Sequence, residues 1–270
     1  MDNFRIVDLP ALNGIRLGNL FIKPHDAEKI TSRMVRPLAS EYVEGEPILG
    51  LIGSSTLLRA KDQLFAACTR HQLQLQTTAK FDESHVAHIR VTSYEKNTLT
   101  NIPLDGVQFV ADNLDEAFSD LLLFRVAADW DALNQERVYF TLLRKPLSKK
   151  RTKSWIVGFP SNQNHLDMDA KNYSSVCRVV GCQYDPSYRT NNRHFRRFKL
   201  DRLEKNLDGY SGGAVFTLFG ETGAHEIIFD GLIIRGGENY VYAIAPEIIS
   251  RLANEFRPNE IRAERKAQIG

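Results

Sequence analysis

The amino-acid sequence predicts an all-β fold, and three observations lead to this prediction. Short runs of apolar and β-branched residues recur from about residue 48 onward, as expected for strands. Glycine, proline and other turn-forming residues separate these runs, a pattern typical of a sandwich or of barrels. The composition is that of an ordinary globular protein, with 43% hydrophobic and 25% charged residues. The predicted strands span 48–58, 63–68, 86–93, 107–110, 121–126, 138–143, 154–159, 175–181, 213–219, 226–234 and 240–245.

The C-terminal part departs from this strand pattern. Pro246 suits the first turn of a helix, where its missing N–H leaves no helical hydrogen bond unmade. Ile248, Ile249 and Leu252 then recur at helical spacing, so we predict a C-terminal helix over 246–256. The remaining tail, 257–270, is polar and is expected to fray.

The N-terminal part shows no clear hydrophobic period. Prolines interrupt residues 1–45, which we interpret as an irregular N-terminal extension with one short helix near 26–34. The predicted strands that follow form two sets, and the boundary between them is expected at 129–134 or in the basic stretch 145–153. The two sets are expected to span 46–134 and 135–256.

Charge and cysteine content limit the classes of partner and the location. The net charge of +2 is too small to indicate a nucleic-acid or membrane partner, and we interpret the basic stretches 145–153 and 189–202 as solvated loops. No segment approaches the ~20 apolar residues of a membrane helix, and the start does not resemble a signal peptide. Three cysteines leave Cys68 unpaired even if Cys177 and Cys182 form a disulfide. We therefore expect a reduced, cytoplasmic location.

The stretch DGYSGGAVF, residues 208–216, is the strongest local signal for chemistry. Its glycines allow a sharp turn around Ser211, since glycine adopts positive φ without steric cost. Such a turn can aim the amides of Gly209 and Ser211 at one point, as an oxyanion requires. The structural alternative is a tight hairpin that happens to contain a serine.

A nucleophilic serine needs a base, and the base needs a group that orients it. Of the seven histidines, His71 alone directly follows a strand-like run, LFAACTR. Asp120 opens the apolar run LLLFRV, where a carboxylate needs a partner for its charge. Asp105, Asp112 and Asp115 are alternatives, although none leads into so apolar a strand. The structural alternatives are a histidine satisfied within the fold and an aspartate that merely starts a strand.

Together these segments resemble trypsin-like serine peptidases of the intracellular bacterial type. LFAACTRH resembles the strand that delivers the histidine, SDLLLFRV the strand that carries the aspartate, and DGYSGGAVF the Gly-x-Ser-Gly-Gly string that carries the serine. The order His, Asp, Ser is that of the chymotrypsin type. Further resemblances are IVGFP at 156–160, FDGLIIRGG at 229–237 and YAIAPEII at 242–249.

The resemblance implies two antiparallel six-stranded β-barrels of the chymotrypsin type, with a C-terminal helix and an active site between the barrels. It implies a serine endopeptidase in which Ser211 is the nucleophile, His71 the general base and Asp120 the group that orients the histidine. The amides of Gly209 and Ser211 would form the oxyanion hole. The partner would be a protein or peptide substrate. No cofactor is required, and no His and Cys spacing indicates a metal site.

The resemblance also implies which residues bind substrate. Ile234, Arg235 and Gly236 are expected to pair with the substrate backbone as an added strand. In this family the floor of the primary pocket lies shortly before the serine, and counting back without a gap gives Lys205. A lysine there would repel basic side chains and favour acidic ones, whereas a shift of one residue would place Glu204 there and reverse the preference. Tyr240 or Tyr242 filling the pocket is a further alternative, which would restrict it to small side chains.

Two departures from the family pattern bear on regulation and location. Cys68 precedes His71 and no cysteine follows it closely, so the disulfide that braces the histidine in secreted relatives is missing. Tyr210 precedes Ser211 where digestive relatives carry the aspartate that receives a new N-terminus, so activation by that cleavage is not expected. Intracellular bacterial members share the second departure.

Two other functions remain open on the sequence alone. One is an inactive trypsin-like binding or sensor module, in which the basic residues of 189–202 hold an anionic partner such as single-stranded nucleic acid. Aromatic residues lie between the arginines of that stretch. The other is a peptidase kept inactive until a regulatory protein partner binds, as an effector of a bacterial stress or antiviral system.

Overall fold

The computed structural model describes residues 14–41, 50–73, 83–95, 98–109, 119–128, 130, 141–167, 172–188, 194–204, 206–221, 224–237, 239–257 and 259–260. Strands dominate these ranges. They are β1 (Ile15–Leu17), β2 (Leu20–Ile22), β3 (Val35–Ser40), β4 (Gly50–Ala60), β5 (Gln63–Thr69), β6 (Ile89–Glu95), β7 (Thr98–Ile102), β8 (Leu104–Phe109), β9 (Leu121–Val126), β10 (Thr141–Leu142), β11 (Arg151–Gly158), β12 (His165–Asp167), β13 (Asn172–Ser174), β14 (Arg178–Tyr184), β15 (Phe195–Leu200), β16 (Ala214–Phe219), β17 (His225–Gly237), β18 (Tyr240–Ile244) and β19 (Asn259–Glu260).

The helices are short. The α-helices are α1 (Ala27–Ser32) and α2 (Pro246–Asn254), and short 3-10 helices span Pro24–Asp26, Arg70–Leu73, Glu83–His88 and Ser161–Gln163. In the described ranges, neither α-helix is both long and apolar enough to cross a membrane.

Six strands of the C-terminal half form a closed antiparallel barrel. Their order is β11, β14, β15, β18, β17 and β16, and pairing of β16 with β11 closes the ring. Side chains alternate between the two faces of each strand. Ile156, Val215 and Val241 form the barrel's own core. Trp155 and Val157 on β11 point the other way and join a core shared with the N-terminal sheet.

The N-terminal half forms a second sheet in the order β7, β6, β3, β4, β5, β9, β8 and β19. Leu57, Ala66 and Phe124 pack in the core of this sheet. Leu58 and Phe65, their neighbours along the strands, belong to the shared core instead. Strands buried on both faces appear in sequence as continuous apolar runs, as in LLLFRV. Among the described residues the pairing of this curled sheet does not complete a ring, unlike the six-stranded ring that the resemblance implied.

The shared core joins the two halves. Apolar residues of β4 and β5 meet residues of β11, β16 and β17 there. Ile248 and Ile249 of α2 belong to the same cluster, as does Ala27 of α1. The edge between the halves, where β5 ends and β16 begins, is therefore held together by apolar packing.

The prediction of an all-β fold with a C-terminal helix is confirmed. The prediction for 121–126 coincides with β9, and α2 begins at the predicted Pro246. The prediction of an irregular N-terminal extension does not hold for β1 and β3, since β1 pairs in parallel with β17 and β3 pairs with β4 and β6. The short helix predicted near 26–34 corresponds to α1. All six residues of β3 are buried. Its sequence does not show an apolar period, because Arg36 and Pro37 interrupt the apolar residues.

The interpretation of 189–202 as a solvated loop is also wrong in its described part. Residues 195–200 form β15, which lies between β14 and β18 in the closed barrel. Phe198 and Leu200 point into the barrel core. The tail differs from expectation too, because β19 at 259–260 pairs with β8.

Candidate active site

The end of β5 and the start of β9 place His71 beside Asp120. β5 and β9 are paired antiparallel, with Thr69 opposite Leu121, so the residues that follow one strand and precede the other are neighbours. The Arg70 amide donates to the Asp120 carbonyl at 2.5 Å, and the His71 amide donates to Oδ1 of Asp120 at 2.8 Å. The carboxylate is thus oriented by the same turn that carries the histidine.

The side chains of Asp120, His71 and Ser211 form a continuous chain of hydrogen bonds. Nδ1 of His71 lies 2.8 Å from Oδ2 and 3.1 Å from Oδ1 of Asp120. Nε2 of His71 lies 3.0 Å from Oγ of Ser211. A proton on Nδ1 satisfies the carboxylate and leaves Nε2 as an acceptor for the serine hydroxyl. This arrangement can remove the hydroxyl proton as the oxygen attacks an electrophile.

A tight turn between the barrel strands presents Ser211. Gly213 N–H donates to the Tyr210 carbonyl at 2.8 Å, and Gly212 N–H donates to the Ile233 carbonyl at 2.8 Å. Gly209 and Gly212 have φ of 88° and 77°. A Cβ at Gly209 would lie 2.3 Å from the Phe159 carbonyl oxygen, so both conformation and space require glycine at this position.

The amides of Gly209 and Ser211 remain available on this turn. Within the described part of the chain, neither amide donates a hydrogen bond to a protein acceptor. The Ser54 hydroxyl donates a hydrogen bond to the Gly209 carbonyl at 2.6 Å. Two amide donors beside a nucleophile can stabilise the negative charge that develops on an attacked carbonyl oxygen.

The end of β17 provides a strand edge beside Ser211. The Ser211 hydroxyl lies 3.3 Å from the Ile234 carbonyl. Pairing with β16 ends at Leu232, whereas β18 remains paired to Arg235 and Gly236. In the described ranges, Arg235 and Gly236 therefore have strand pairing on one side alone, and Ile234 lies at a bulge in the pairing with β18. Such an edge can accept an extended peptide as an added strand.

Sequence reasoning missed the residues that connect the turn at Ser211 to the N-terminal sheet. The Thr56 hydroxyl donates to the Gly212 carbonyl at 2.8 Å, and the Ser54 amide donates to the Ser211 carbonyl at 3.2 Å. The side-chain amide of Gln72 donates to the same Ser211 carbonyl at 2.8 Å. The one signal in the sequence was that Gln72 adjoins His71.

Comparison with solved structures shows which known fold this architecture matches. A mutant of human heparin binding protein has 14% identity and a TM-score of 0.51, covering 84% of this chain and 94% of its own. Human heparin binding protein has 12% identity and a TM-score of 0.50, covering 89% of this chain and 96% of its own. Both have the chymotrypsin-type double barrel. The protein has the chymotrypsin fold.

A thermostable serine protease from an extremophilic microorganism is also similar, with 10% identity, a TM-score of 0.49, and coverage of 84% of this chain and 99% of its own. No protein-family model matches the sequence, and no curated protein matches it. At these identities the similarity concerns the chymotrypsin fold, and a fold alone does not decide an activity.

Within this chymotrypsin fold, the other aspartates considered for the orienting role lie elsewhere. Asp105 accepts a hydrogen bond from Nε of Arg125 at 2.7 Å. Asp112 and Asp115 lie outside the described residues, as does Lys205, the residue predicted at the pocket floor. Glu204, the alternative for that floor, accepts a hydrogen bond from Nε of Arg202 at 2.9 Å.

Tyr210, which precedes Ser211 where digestive relatives carry an aspartate, is a buried packing residue. It is 1% exposed, and its ring lies against the backbone of Gly158, where a Cβ would come within 2.7 Å of the ring. Burial raises the pKa of the Tyr210 phenol, and the nearby Glu204 carboxylate raises it further. The side chain before Ser211 is therefore neutral at neutral pH and is held by packing.

Two of the arginines predicted as an anion-binding surface, Arg196 and Arg197, form ion pairs within this chymotrypsin fold. Arg196 binds the buried Asp230 carboxylate and, at 3.0 Å, both oxygens of Glu247. Arg197 binds Asp185 at 2.6 Å. The Arg197 guanidinium also lies 4.6 Å from the ring centroids of both Tyr188 and Tyr240. These two arginines form ion pairs with carboxylates of this chain rather than with a bound anion.

Proposed function

We propose that this protein is a serine endopeptidase. The observation that carries the proposal is the continuous hydrogen-bond chain from Asp120 through His71 to the Ser211 hydroxyl. A serine in a glycine turn or a histidine at a strand end has many structural explanations. Three such groups, brought from distant parts of the chain into one hydrogen-bonded line, are explained by nucleophilic catalysis.

In this proposal Oγ of Ser211 attacks the carbonyl carbon of a peptide bond while Nε2 of His71 takes the hydroxyl proton. The C–N bond then breaks, and the imidazolium gives that proton to the leaving amine, which leaves an acyl group on Ser211. Water then attacks the acyl carbon while the same imidazole takes its proton, and the imidazolium gives that proton to Oγ of Ser211 as the acyl–oxygen bond breaks and the carboxylic acid leaves. Asp120 stays ionised and keeps the proton of the neutral imidazole on Nδ1.

The amides of Gly209 and Ser211 would stabilise the tetrahedral intermediates in both halves of the reaction. The substrate would extend along residues 234–236, with its backbone adding a strand to β17. This placement brings the scissile carbonyl to Ser211, since the Ile234 carbonyl already lies 3.3 Å from the hydroxyl. The proposed substrate class is thus an extended segment of a protein or peptide.

The alternative of an inactive anion-binding module is less well supported. Heparin binding protein shares the fold, but Arg196 and Arg197, two of the basic residues on which this alternative depended, are neutralised by Asp230, Glu247 and Asp185. The hypothesis of a peptidase regulated by a partner in a stress or antiviral system stays a prediction.

Labelling with a fluorophosphonate tests the proposal without knowledge of the substrate. The probe phosphonylates an activated serine, so we expect stoichiometric labelling of the wild-type protein at Ser211. Ser211→Ala is the negative control, and Ser187→Ala, which removes a hydroxyl that bonds Asp185 outside the site, is the matched control. A folded wild-type protein that resists labelling would contradict the proposal.

A further inference from the structure

The side chain of Gln72 reaches from the N-terminal sheet to the turn that carries Ser211. Its Nε2 donates to the Ser211 carbonyl at 2.8 Å and to the Ser54 carbonyl at 3.2 Å. Its Oε1 accepts from the Thr69 amide at 2.9 Å and from the Thr69 hydroxyl at 2.8 Å. A carboxamide has two N–H donors and one oxygen that accepts twice, so all four positions are used.

These partners determine the orientation of the amide group. The Thr69 backbone N–H is a donor and can be met by Oε1 alone, whereas the two carbonyl oxygens are acceptors and can be met by the NH2 group alone. A flipped amide would place its NH2 group against the Thr69 N–H and its oxygen against the carbonyl oxygens of Ser54 and Ser211. Neither contact would be a hydrogen bond. The side chain therefore has one orientation in which every polar atom is satisfied.

The backbone on both sides of Gln72 is shaped to admit it. A Cβ at Gly53 would lie 2.1 Å from Nε2 of Gln72, and one at Gly212 would lie 2.8 Å from Oε1 and 2.0 Å from the Ser54 carbonyl oxygen. Both glycines have positive φ, 147° and 77°. The absence of a Cβ at these two glycines thus leaves the space that the Gln72 side chain fills between the sheet and the Ser211 turn.

Gln72 lies in the same 3-10 turn as His71, so its hydrogen bond to the Ser211 carbonyl connects the base to the nucleophile residue. The three cysteines are free, and Cys68 is buried in the N-terminal sheet. No disulfide in the described chain braces the histidine turn. Hydrogen bonds through a half-buried amide provide that brace instead.

We propose that Gln72 is a positioning residue, which holds the His71 turn and the Ser211 turn at the separation that proton transfer needs. The inference rests on the proposed peptidase function. Gln72 touches neither the hydroxyl nor the imidazole, so it acts through the backbone of the two residues that do. Misplacement of reacting groups by about 1 Å costs roughly 100-fold in rate.

The test measures the second-order rate constant for fluorophosphonate labelling of Ser211. Gln72→Leu, which keeps the size and removes all four hydrogen bonds, should react about 100-fold more slowly than wild type. Gln63→Leu is the matched control, because Gln63 is exposed at the start of β5, the strand that leads into the His71 turn, and it should react at the wild-type rate. Thermal unfolding and circular dichroism establish that each variant is folded.

Gln72→Glu adds a readout that a purely structural role would not change. A neutral glutamic acid can donate to the Ser211 carbonyl, whereas a carboxylate repels it, and two facing carbonyl oxygens favour the neutral form. The labelling rate of Gln72→Glu relative to wild type should therefore fall as the pH rises from about 5 to about 8. The unfolding midpoints of the two proteins, measured at the same pH values, separate this effect from lost stability. This variant also decides the question if Gln72→Leu does not fold.

The outcomes separate the two proposals. Labelling of folded Gln72→Leu at the wild-type rate, or a pH-independent ratio for folded Gln72→Glu, overturns the role of Gln72 and leaves the peptidase proposal standing. A wild-type protein that is not labelled at all overturns the peptidase proposal, and the role of Gln72 with it.

Discussion

Nε2 of His71 and Oγ of Ser211 lie 3.0 Å apart, although 140 residues separate them in the chain. The histidine follows a strand of the N-terminal sheet, and the serine precedes a strand of the closed barrel. Their distance is therefore set by the packing of the two halves and by the polar contacts across them. The Ser54 hydroxyl makes two of these contacts, since it donates to the Gly209 carbonyl and accepts from the Phe159 amide at 2.9 Å.

Loss of the nucleophile or the base should abolish proteolysis without unfolding the protein. We expect Ser211→Ala and His71→Ala each to lower turnover on the order of 10⁶-fold, because the hydroxyl and the imidazole act as one unit. The measurement is kcat on a peptide found by library screening, with circular dichroism as the check on folding. Wild-type turnover in folded Ser211→Ala would show that another residue is the nucleophile.

Asp120→Asn should be severe for a different reason. The amide can donate to Nδ1 and so favours the proton on Nε2, the wrong tautomer, and the expected loss in kcat is about 10⁴-fold. Asp105→Asn is the matched control, because Asp105 pairs with Arg125 and should leave kcat unchanged. Equal kcat for the two variants would move the orienting role away from Asp120.

The buried ion pairs of Asp230 should matter for stability and not for chemistry. Asp230 is 1% exposed and binds Arg151, Arg196 and the Thr217 hydroxyl. Asp230→Asn leaves two arginines short of a counter-charge, so the free energy of unfolding should fall by about 3–5 kcal/mol. Denaturant unfolding measures this. Glu28→Gln, which removes an exposed pair, should cost less than about 1 kcal/mol, and equal losses would contradict the prediction.

The three thiols should be unreactive in the folded protein. Burial raises the pKa of Cys68 and Cys182 well above the ordinary thiol value and that of Cys177 to about 12. Maleimide should therefore modify the native protein far more slowly than the protein in denaturant, since the thiolate is the nucleophile. In the alkaline range the unfolded chain loses thiol protons that the folded chain keeps, so these groups lower the free energy of unfolding as the pH rises.

Replacing all three cysteines together should leave the fold intact, apart from a packing loss at Cys68, which is fully buried. The measurement is circular dichroism and thermal unfolding of the triple variant. Unfolding of the wild-type protein by a mild reductant at neutral pH would show that a disulfide is needed after all.

Cleavage should not favour arginine or lysine at the primary position. Glu204, the one acidic side chain predicted near the pocket floor, is already bound by Arg202. Arg235 is exposed on the proposed substrate edge, with its guanidinium 4.7 Å from the Tyr242 ring centroid, and adds positive charge there. A peptide library should therefore show selection against basic residues, relaxed in Arg235→Ala. Dominant cleavage after arginine or lysine would sink this prediction and favour Glu204 at the floor.

The sequence by itself determined the fold class and the order of the site residues. Local chemistry carries much of this, because a run as short and apolar as LLLFRV favours a buried strand and the glycines around Ser211 allow a sharp turn. The same local rules failed at β3, where Arg36 and Pro37 lie in a fully buried strand, and at β15, whose arginines suggested a loop.

Only the tertiary structure decided what these residues do together. The half-buried Arg196 pairs with the buried Asp230 because β15 and β17 both pair with β18 in the closed barrel, and no local pattern contains that pairing. The hydrogen bond of Gln72 to the Ser211 carbonyl joins residues 139 apart, so no spacing in the sequence indicates it. Side-chain periodicity records which face of a strand is buried, whereas the contacts between two halves depend on how their surfaces pack.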